Sequence, residues 1–149
     1  MIEDRVFVTL KRDESGYPPW DEEEIWASRR GDDSFRLDAS PTFVRGLSYR
    51  DVVHVVPVGD RWYVDTVIAS GGHSTLRVIL FDDRAHDRLF EAGRRNGCEV
   101  SHTEIQGLFA LDVPPSQNID ALIVALADGL SERLWDYEEG NLAEPHLGS

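Results

Sequence analysis

The residues that could carry chemistry begin with five histidines, which are His54, His73, His86, His102 and His146. None of them stands at the His-x-x-x-His spacing that places two metal ligands on one helix face. His73 is the most suggestive of the five, because it lies in the Ser-Gly-Gly-His-Ser-Thr sequence of residues 70–75 beside two hydroxyl groups. A histidine base could act there with Ser70, Ser74 or Asp51, as in a small hydrolase or transferase.

Phosphate, thiol and metal sites do not fit the sequence. Residues 70–75 lack the Gly-x-x-x-x-Gly-Lys pattern of a phosphate-binding loop, and a strand rather than a helix is predicted after them. Cys98 is the single cysteine, which excludes an internal disulfide and a multi-cysteine zinc site, and it follows a predicted helix instead of preceding one. The acidic runs lack the spacing of a calcium loop. We therefore expect no metal and no organic cofactor.

Aromatic side chains stand among acids in two parts of the chain. Tyr17 and Trp20 precede the acidic run 21–24, and Tyr137 is flanked by acids. Large aromatic anchors with a charged rim are typical of protein interfaces, whereas Trp26 and Trp135 are expected in the core. Because exposed acids contribute little to stability, reversing the charges of two of them, Glu22 and Glu23, should leave the fold intact. The predicted partner-binding residues are Tyr17, Trp20, Asp21, Glu22, Glu23, Glu24, Asp136, Tyr137, Glu138 and Glu139.

Charge is the strongest feature of the composition. The 149 residues include 28 acids and 15 bases, for a formal net charge of −13. Residues 1–24 hold eight acids and three bases, and residues 134–149 hold four acids and no base, so the two regions make an acidic face if the fold places them on one side. Such a surface repels the phosphate backbone of nucleic acids. No segment has the pattern of a membrane span or a signal peptide, so we expect a cytoplasmic protein.

The first unit, residues 1–72, is predicted to be β-rich. Residues 5–10 alternate β-branched and aromatic side chains, as a strand does. The clearest hairpin joins residues 52–58 to residues 61–69, with one face formed by Trp62, Val64, Thr66 and Ile68. Residues 22–28 fit either a strand or a helical turn. We expect a small curled sheet or barrel.

The second unit, residues 73–140, combines strand and helix periods. Strands are predicted at 76–81, 98–105, 108–113 and 134–137, and helices at 84–96 and 118–132, the latter from the spacing of Ile119, Leu122, Ile123, Leu126 and Leu130. The order β-α-β-β-α-β is that of a ferredoxin-like unit. Residues 141–149 have the composition of a loose tail. The predicted fold class is therefore α+β, with the β sheet or barrel packed against a ferredoxin-like βαββαβ unit.

Six short blocks of sequence together carry a family resemblance. They are Gly16-Tyr17-Pro18-Pro19, Glu24-Ile25-Trp26-Ala27, the stretches 46–53 and 70–78, Gly97-Cys98, and Trp135-Asp136-Tyr137-Glu138-Glu139. In this order they resemble the bacterial domain-of-unknown-function family 4265 over nearly the whole chain. The resemblance implies a bacterial soluble protein and supplies no activity or catalytic residue. The second unit also looks like the protein inhibitors of bacterial ribonuclease E, in fold and charge alone.

Together these observations favour a non-enzymatic, acidic protein-binding module. The expected partner is a basic protein, and neither nucleic acid nor a membrane is expected. The concrete hypothesis is an immunity protein or inhibitor that covers the basic active site of a cognate bacterial toxin or nuclease. The alternative is a small hydrolase or transferase with its site around residues 70–75.

Overall fold

The first five strands of this computed structural model, which describes residues 3–147, close into a barrel. They are β1 (Glu3–Thr9), β2 (Glu22–Gly31), β3 (Ser34–Leu37), β4 (Val52–Val58) and β5 (Arg61–Ala69). Each strand pairs antiparallel with the next, and β1 pairs in parallel with β5 at Phe7 and Tyr63. Residues 22–28, for which the sequence left two possibilities open, are therefore strand.

The second unit is a four-stranded antiparallel sheet with two helices on one face. Its elements are β6 (Ser74–Leu80), α1 (His86–Arg95), β7 (Glu99–His102), β8 (Leu108–Val113), α2 (Ile119–Ser131) and β9 (Trp135–Asn141). The strands lie in the order β7-β8-β6-β9. Single 3₁₀ turns cover Asp83–Ala85 and Glu144–His146.

The expected α+β class is confirmed, because the chain is rich in antiparallel sheet and has few helices. Both α-helices of the described residues lie within the predicted ranges 84–96 and 118–132. Among residues 3–147, no helix is long and apolar enough to cross a membrane.

The barrel is filled by alternate residues of its strands, a buried set that includes Val6, Val8, Ile25, Ala27, Phe35, Leu37, Val53 and Val55. Trp62 and Val64 of β5 share one face, as predicted, and both pack against this core. The register of β5 against β4 then shifts twice, and neither Asp65 nor Ile68 has a partner in β4. Because these irregularities shift the alternation of the strand, Thr66 pairs with His54 on the outer side and Ile68 is 56% exposed, so the predicted place of both on the face of Trp62 is wrong.

The helices cover one face of the second sheet. Trp135 is fully buried there, as predicted, and its indole Nε1 donates a hydrogen bond to the carbonyl of Leu126 at 2.9 Å. Its ring occupies the space beside Gly129, where a Cβ would lie 2.1 Å from the nearest ring atom. Leu130, predicted on the inner face of α2, is 42% exposed.

The opposite face of the second sheet meets the segment between β3 and β4, residues 38–51, which we call the linking loop. The Ser48 hydroxyl lies 2.7 Å from the Thr75 hydroxyl and accepts a hydrogen bond from the Asn141 amide at 2.8 Å. The amide of Gly46 donates to the carbonyl of Gly140 at 3.2 Å. Through these hydrogen bonds the linking loop connects the barrel unit to the second sheet.

Residues 142–147 pack against the second unit, in contrast to the loose tail expected for residues 141–149, of which residues 148 and 149 lie outside the described part. His146 is 5% exposed, and its Nε2 donates to the carbonyl of Pro114 at 2.9 Å. Since Nε2 carries that hydrogen, the Ser74 hydroxyl donates to Nδ1 at 2.5 Å in the neutral tautomer. Ser74 in turn accepts the amide of Ala143 at 2.9 Å.

We predict that Gly129→Ala destabilises the chain, because the added methyl group collides with the buried ring of Trp135. Overpacking costs about 1–3 kcal/mol, and a Cβ 2.1 Å from a buried ring lies at the severe end of that range, so the cost exceeds the roughly 1 kcal/mol that helix propensity returns for replacing glycine by alanine. Urea unfolding measures the change, and Leu130→Ala at the neighbouring, half-exposed position is the control with a smaller loss. A Gly129→Ala variant as stable as the parent would contradict this packing.

Candidate functional site

The loop that carries the first predicted anchors, residues 13–20, is organised by Asp13. Its carboxylate accepts the amides of Ser15 at 2.8 Å and Tyr17 at 3.1 Å, and its own amide donates to the carbonyl of Tyr17 at 2.7 Å. The Ser15 hydroxyl and then the Tyr17 amide hold the pKa of Asp13 below its usual value. Gly16 has a φ of 86°, a conformation that favours glycine. Tyr17 is therefore held in place by its own loop.

Tyr17, Trp20 and Phe43 form what we call the aromatic cluster. The Phe43 ring contacts both partners, with centroid distances of 5.8 Å to Tyr17, edge to face, and 5.5 Å to Trp20. Such pairs stabilise beyond their buried area. Tyr17 and Trp20 nevertheless stay 45% and 39% exposed. The cluster thus exposes the side chains of Tyr17 and Trp20 to solvent, and the ring of Phe43 supports both of them.

The backbone of residues 42–44, which supports Phe43, is bound by opposite charges. Glu23 is 9% exposed and accepts the amides of all three residues. The guanidinium of Arg77 donates to the carbonyls of the first and third. Burial lowers the pKa of Arg77, while the charges of Glu138 and Glu23 oppose that effect. The aromatic cluster is therefore fixed by β2 of the barrel and β6 of the sheet together.

A groove of about 230 Å³, which we call the acid–aromatic groove, is lined by Tyr17, Arg77, Ile79, Leu108, Asp136, Tyr137 and Glu138. Ile79 of β6 is 43% exposed and gives the groove an apolar wall. Tyr17 comes from the loop before β2, and the three acidic and aromatic residues 136–138 come from β9. Two segments that the sequence selected separately thus meet in one groove.

The charges in the groove differ in how far they are already paired. Glu138 bonds Arg45 at 2.7 Å and lies 3.4 Å from Arg77, so two guanidinium groups balance it. Asp136 is exposed and forms no ion pair among the described residues. Burial, and then the negative charge of Glu138, raise the pKa of Tyr17, which keeps its hydroxyl neutral. Asp136 is therefore the free negative charge of the groove.

The remaining predicted partner-binding acids lie elsewhere. The Asp21 side chain is 88% exposed and pairs with Arg12 at 3.1 Å, beside the aromatic cluster in sequence. Glu24 pairs with Arg5 on the outer wall of the barrel. Glu139 lies on the face of β9 opposite to Asp136 and Glu138, because it is paired with the core residue Leu76. Sequence order alone did not separate these surfaces.

The premise that Glu22 and Glu23 are exposed acids is wrong, because Glu23 is buried and Glu22 is partly buried, and we therefore expect their charge reversal to destabilise the fold. Glu22 accepts hydrogen bonds from Arg61 at 2.7 Å and from the Tyr63 hydroxyl at 2.9 Å, which link β2 to β5. Glu23 is buried and satisfies the three amides of residues 42–44. Both carboxylates therefore stabilise the chain itself.

Trp26 is 51% exposed, so its expected place in the core is wrong. It lies on the outer wall of the barrel, where the guanidinium of Arg5 sits 5.3 Å from its ring. The alternation of β2 contains the missed signal, because Trp26 is in phase with Glu22 and Glu24 while Ile25 is buried.

The predicted base His73 bonds an acid that the sequence did not single out. Its Nδ1 donates to the two carboxylate oxygens of Asp112 at 2.9 and 3.1 Å. Both side chains are mostly buried, and the ring of Tyr49 meets the His73 ring edge to face at 5.1 Å. Burial raises the pKa of Asp112, although the neighbouring His73 opposes this. Asp112 is the one charged residue in the otherwise apolar sequence of strand β8, Leu108–Val113. A lone acid in an apolar strand is the sequence signal that could have marked Asp112 as a candidate site residue.

The hydroxyl and carboxyl groups predicted to act with His73 form hydrogen bonds to other parts of the chain. Ser70 accepts the amide of Gly72 at 3.1 Å, and Ser74 is bonded to His146. Asp51 is 2% exposed and accepts the amides of Ser48 and Gly71, at 2.9 and 3.0 Å, and its burial raises its pKa. None of them hydrogen-bonds His73 in the described structure. Within residues 3–147, no cluster of three or more His, Cys, Asp or Glu is placed to hold a metal ion.

A second concavity, which we call the junction cavity, has a volume of about 340 Å³ and lies between the linking loop and the sheet. The linking loop contributes Asp38, Ala39, Ser40, Thr42 and Tyr49, and the sheet contributes Glu99, Ser101, His102, Ala110 and Asp112. The groove and this cavity meet at one contact, because Thr42 lines the cavity and its carbonyl is held by Arg77.

The model of one protein family, described as a domain of unknown function (DUF4265), matches residues 23–137. The chain belongs to the DUF4265 family. The matched range runs from Glu23 to Tyr137, and so includes both the linking loop and the His73–Asp112 pair. Among solved structures, a hypothetical protein from Neisseria gonorrhoeae is similar at 19% identity, with 96% of this chain and 97% of that chain covered and a TM-score of 0.80. That likeness shows a common fold. No curated protein matches.

The single cysteine of this DUF4265 chain is predicted to react slowly. Cys98 is 7% exposed, and burial raises its pKa to about 11. Because the thiolate is the reactive form, its reaction with a disulfide reagent at pH 8 should be at least about a hundredfold slower than that of a free cysteine. The absorbance of the released thiol measures the rate, and the unfolded chain in urea is the control that should react fast. Equal rates for the folded and unfolded chain would contradict the burial of Cys98.

Proposed function

We propose that this chain is a non-enzymatic, acidic protein-binding module that holds a basic partner protein at the acid–aromatic groove. In its concrete form, the proposal is an immunity protein or inhibitor that covers the basic active site of a bacterial toxin or nuclease. The observation that carries it is the meeting of Tyr17 with Asp136 and Glu138 in one groove, beside the exposed ring of Trp20.

The chemistry of the groove supports a cationic protein segment as its occupant. Exposed aromatic faces attract the guanidinium or ammonium group of arginine or lysine, and the unpaired carboxylate of Asp136 adds a charge-assisted contact. Ile79 offers apolar surface for the aliphatic part of such a side chain. The net charge of −13 attracts a basic partner over a longer range and repels phosphate backbones.

The rigid support of the aromatic cluster also favours binding. Residues 42–44 are fixed by Glu23 and Arg77, and Phe43 in turn fixes the rings of Tyr17 and Trp20. Side chains that are ordered before binding lose less conformational entropy in the complex, so more of the contact energy appears as affinity.

The enzyme alternative rests on the His73–Asp112 pair. An aspartate that holds one ring nitrogen leaves the other free to act as a base. Ser70, Ser74 and Asp51, the groups predicted to act with that base, are each bonded elsewhere, so none of the three is positioned to react with it. We therefore favour the binding function over a hydrolase or transferase.

The finer fold and the compartment are also proposals. We assign the second unit to the ferredoxin-like class, on the order of its elements and on the strand order β7-β8-β6-β9, which places the first and third strands of the unit at the centre. We place the protein in the cytoplasm, a reducing compartment that keeps its one cysteine, Cys98, as a free thiol.

The full chain, immobilised and exposed to an extract of its host, should capture a basic partner protein. We predict that two variants change different rate constants of binding to that partner. Trp20→Ala should raise the dissociation rate, at a cost of about 2 kcal/mol for a central anchor. Asp136→Lys should lower the association rate, and added salt should lower the association rate of the parent chain. Surface plasmon resonance with the purified partner measures both rates.

The matched control is Asp128→Lys, which changes the net charge equally but lies on α2, across the sheet from the groove. It should lower the association rate less than Asp136→Lys. Equal effects of the two lysine variants, together with a Trp20→Ala variant that dissociates like the parent, would show that the interface lies elsewhere. If the partner is a toxin or nuclease, the parent chain should also inhibit its activity.

A further inference from the structure

The junction cavity is built as a ligand site at the boundary of the two units. Its volume of about 340 Å³ suits a small molecule, and cavities between units are common ligand sites. Four hydroxyl groups line it, which belong to Ser40, Thr42, Tyr49 and Ser101, and none has a hydrogen-bond partner among the described residues. These groups are free to bind a polar molecule.

Carboxylates give the cavity its charge. Asp38 is oriented by the Ser28 hydroxyl and by Arg36, whose Nε lies 3.0 Å from it. Asp112 is oriented by His73. Glu99 is exposed and forms no ion pair within residues 3–147. No arginine or lysine lines the cavity, although Arg36 pairs with Asp38 and the charge of Arg50 reaches Asp112 from behind Tyr49. Glu99 is the carboxylate without a paired cation within residues 3–147, and it makes the cavity favour a positive ligand.

The aromatic wall of the cavity is also held in place. The Tyr49 ring packs against His73, and the Arg50 guanidinium lies 4.8 Å from the centre of the same ring. Arg50 has a φ of 74°, which is unusual for a residue other than glycine, and a Cβ on Gly71 would lie 2.6 Å from it. Backbone strain of this kind is found at functional sites, where the surrounding structure enforces it.

We propose that the junction cavity binds a small protonated amine that carries hydroxyl groups. The ammonium group is bound by the carboxylates of Asp112 and Glu99, and the ligand's hydroxyl groups exchange hydrogen bonds with Ser40, Thr42 and Ser101. His73 is a positioning residue here, because it holds the Asp112 carboxylate in a fixed orientation. The site is separate from the acid–aromatic groove and does not depend on the proposed protein partner.

The test is a titration of the full chain with aminopropanediol, followed by NMR shifts of backbone amides. Glycerol is the neutral match, because it has a hydroxyl group where the probe has an ammonium group, and glycerate is the anionic match. We expect saturable shifts with the amine in the millimolar range, centred on the linking loop and on Ser101, and no saturation with glycerol or glycerate. Saturation by glycerol or glycerate at equal concentrations would overturn the charge assignment, and no saturation by the amine would overturn the site.

Two carboxylate variants test the named ligands. Glu99→Gln at the exposed position, and Asp112→Asn, should each weaken binding of the amine about tenfold, while Asp128→Asn on α2 removes the same charge and should leave it unchanged. If Glu99→Gln and Asp112→Asn both bind like the parent, the proposal is wrong. Trp20→Ala should bind the amine normally, so failure of the groove proposal and failure of this one are distinguishable.

Discussion

Three successive peptide groups, residues 42–44, are held between a carboxylate and a guanidinium group. Glu23 accepts their amides from the barrel side, and Arg77 donates to two of their carbonyls from the sheet. Buried backbone groups must find partners, and a buried charge is stable only when it is paired and hydrogen-bonded. Here the two charged side chains provide the partners that the peptide groups need, and the peptide groups provide the hydrogen bonds that stabilise the two charges. The barrel and the sheet are consequently joined through a segment that belongs to neither set of strands.

Both candidate sites depend on that arrangement. Phe43 supports Tyr17 and Trp20 at the acid–aromatic groove, which Arg77 also lines, and Thr42 forms part of the junction cavity. A movement of the linking loop would therefore change the groove and the cavity together.

The local elements could be predicted from the sequence, and the contacts between distant segments could not. The helical spacing of Leu122 and Leu126 located α2, and the expectation that Trp135 lies in the core is confirmed. The roles of Glu23 and Asp112 depend on partners many residues away, which periodicity does not describe. Glu23 looked like one more acid in an exposed run, although its phase with Ile25 in β2 pointed inward. The meeting of Tyr17 with β9 likewise needed the three-dimensional fold.

Hydrogen exchange at the amides of residues 42–44 tests the central claim most directly. NMR should show these three amides protected in the parent chain, as expected for donors bound to a buried carboxylate. Arg77→Met removes the contacts to the carbonyls and the ion pair with Glu138, and it touches none of the three amides. It should nevertheless speed exchange of these amides, because the segment is held only when both charges are present. Arg45→Met, which removes a neighbouring exposed guanidinium, should leave the exchange unchanged. Unprotected amides in the parent, or protection that survives Arg77→Met, would contradict the account.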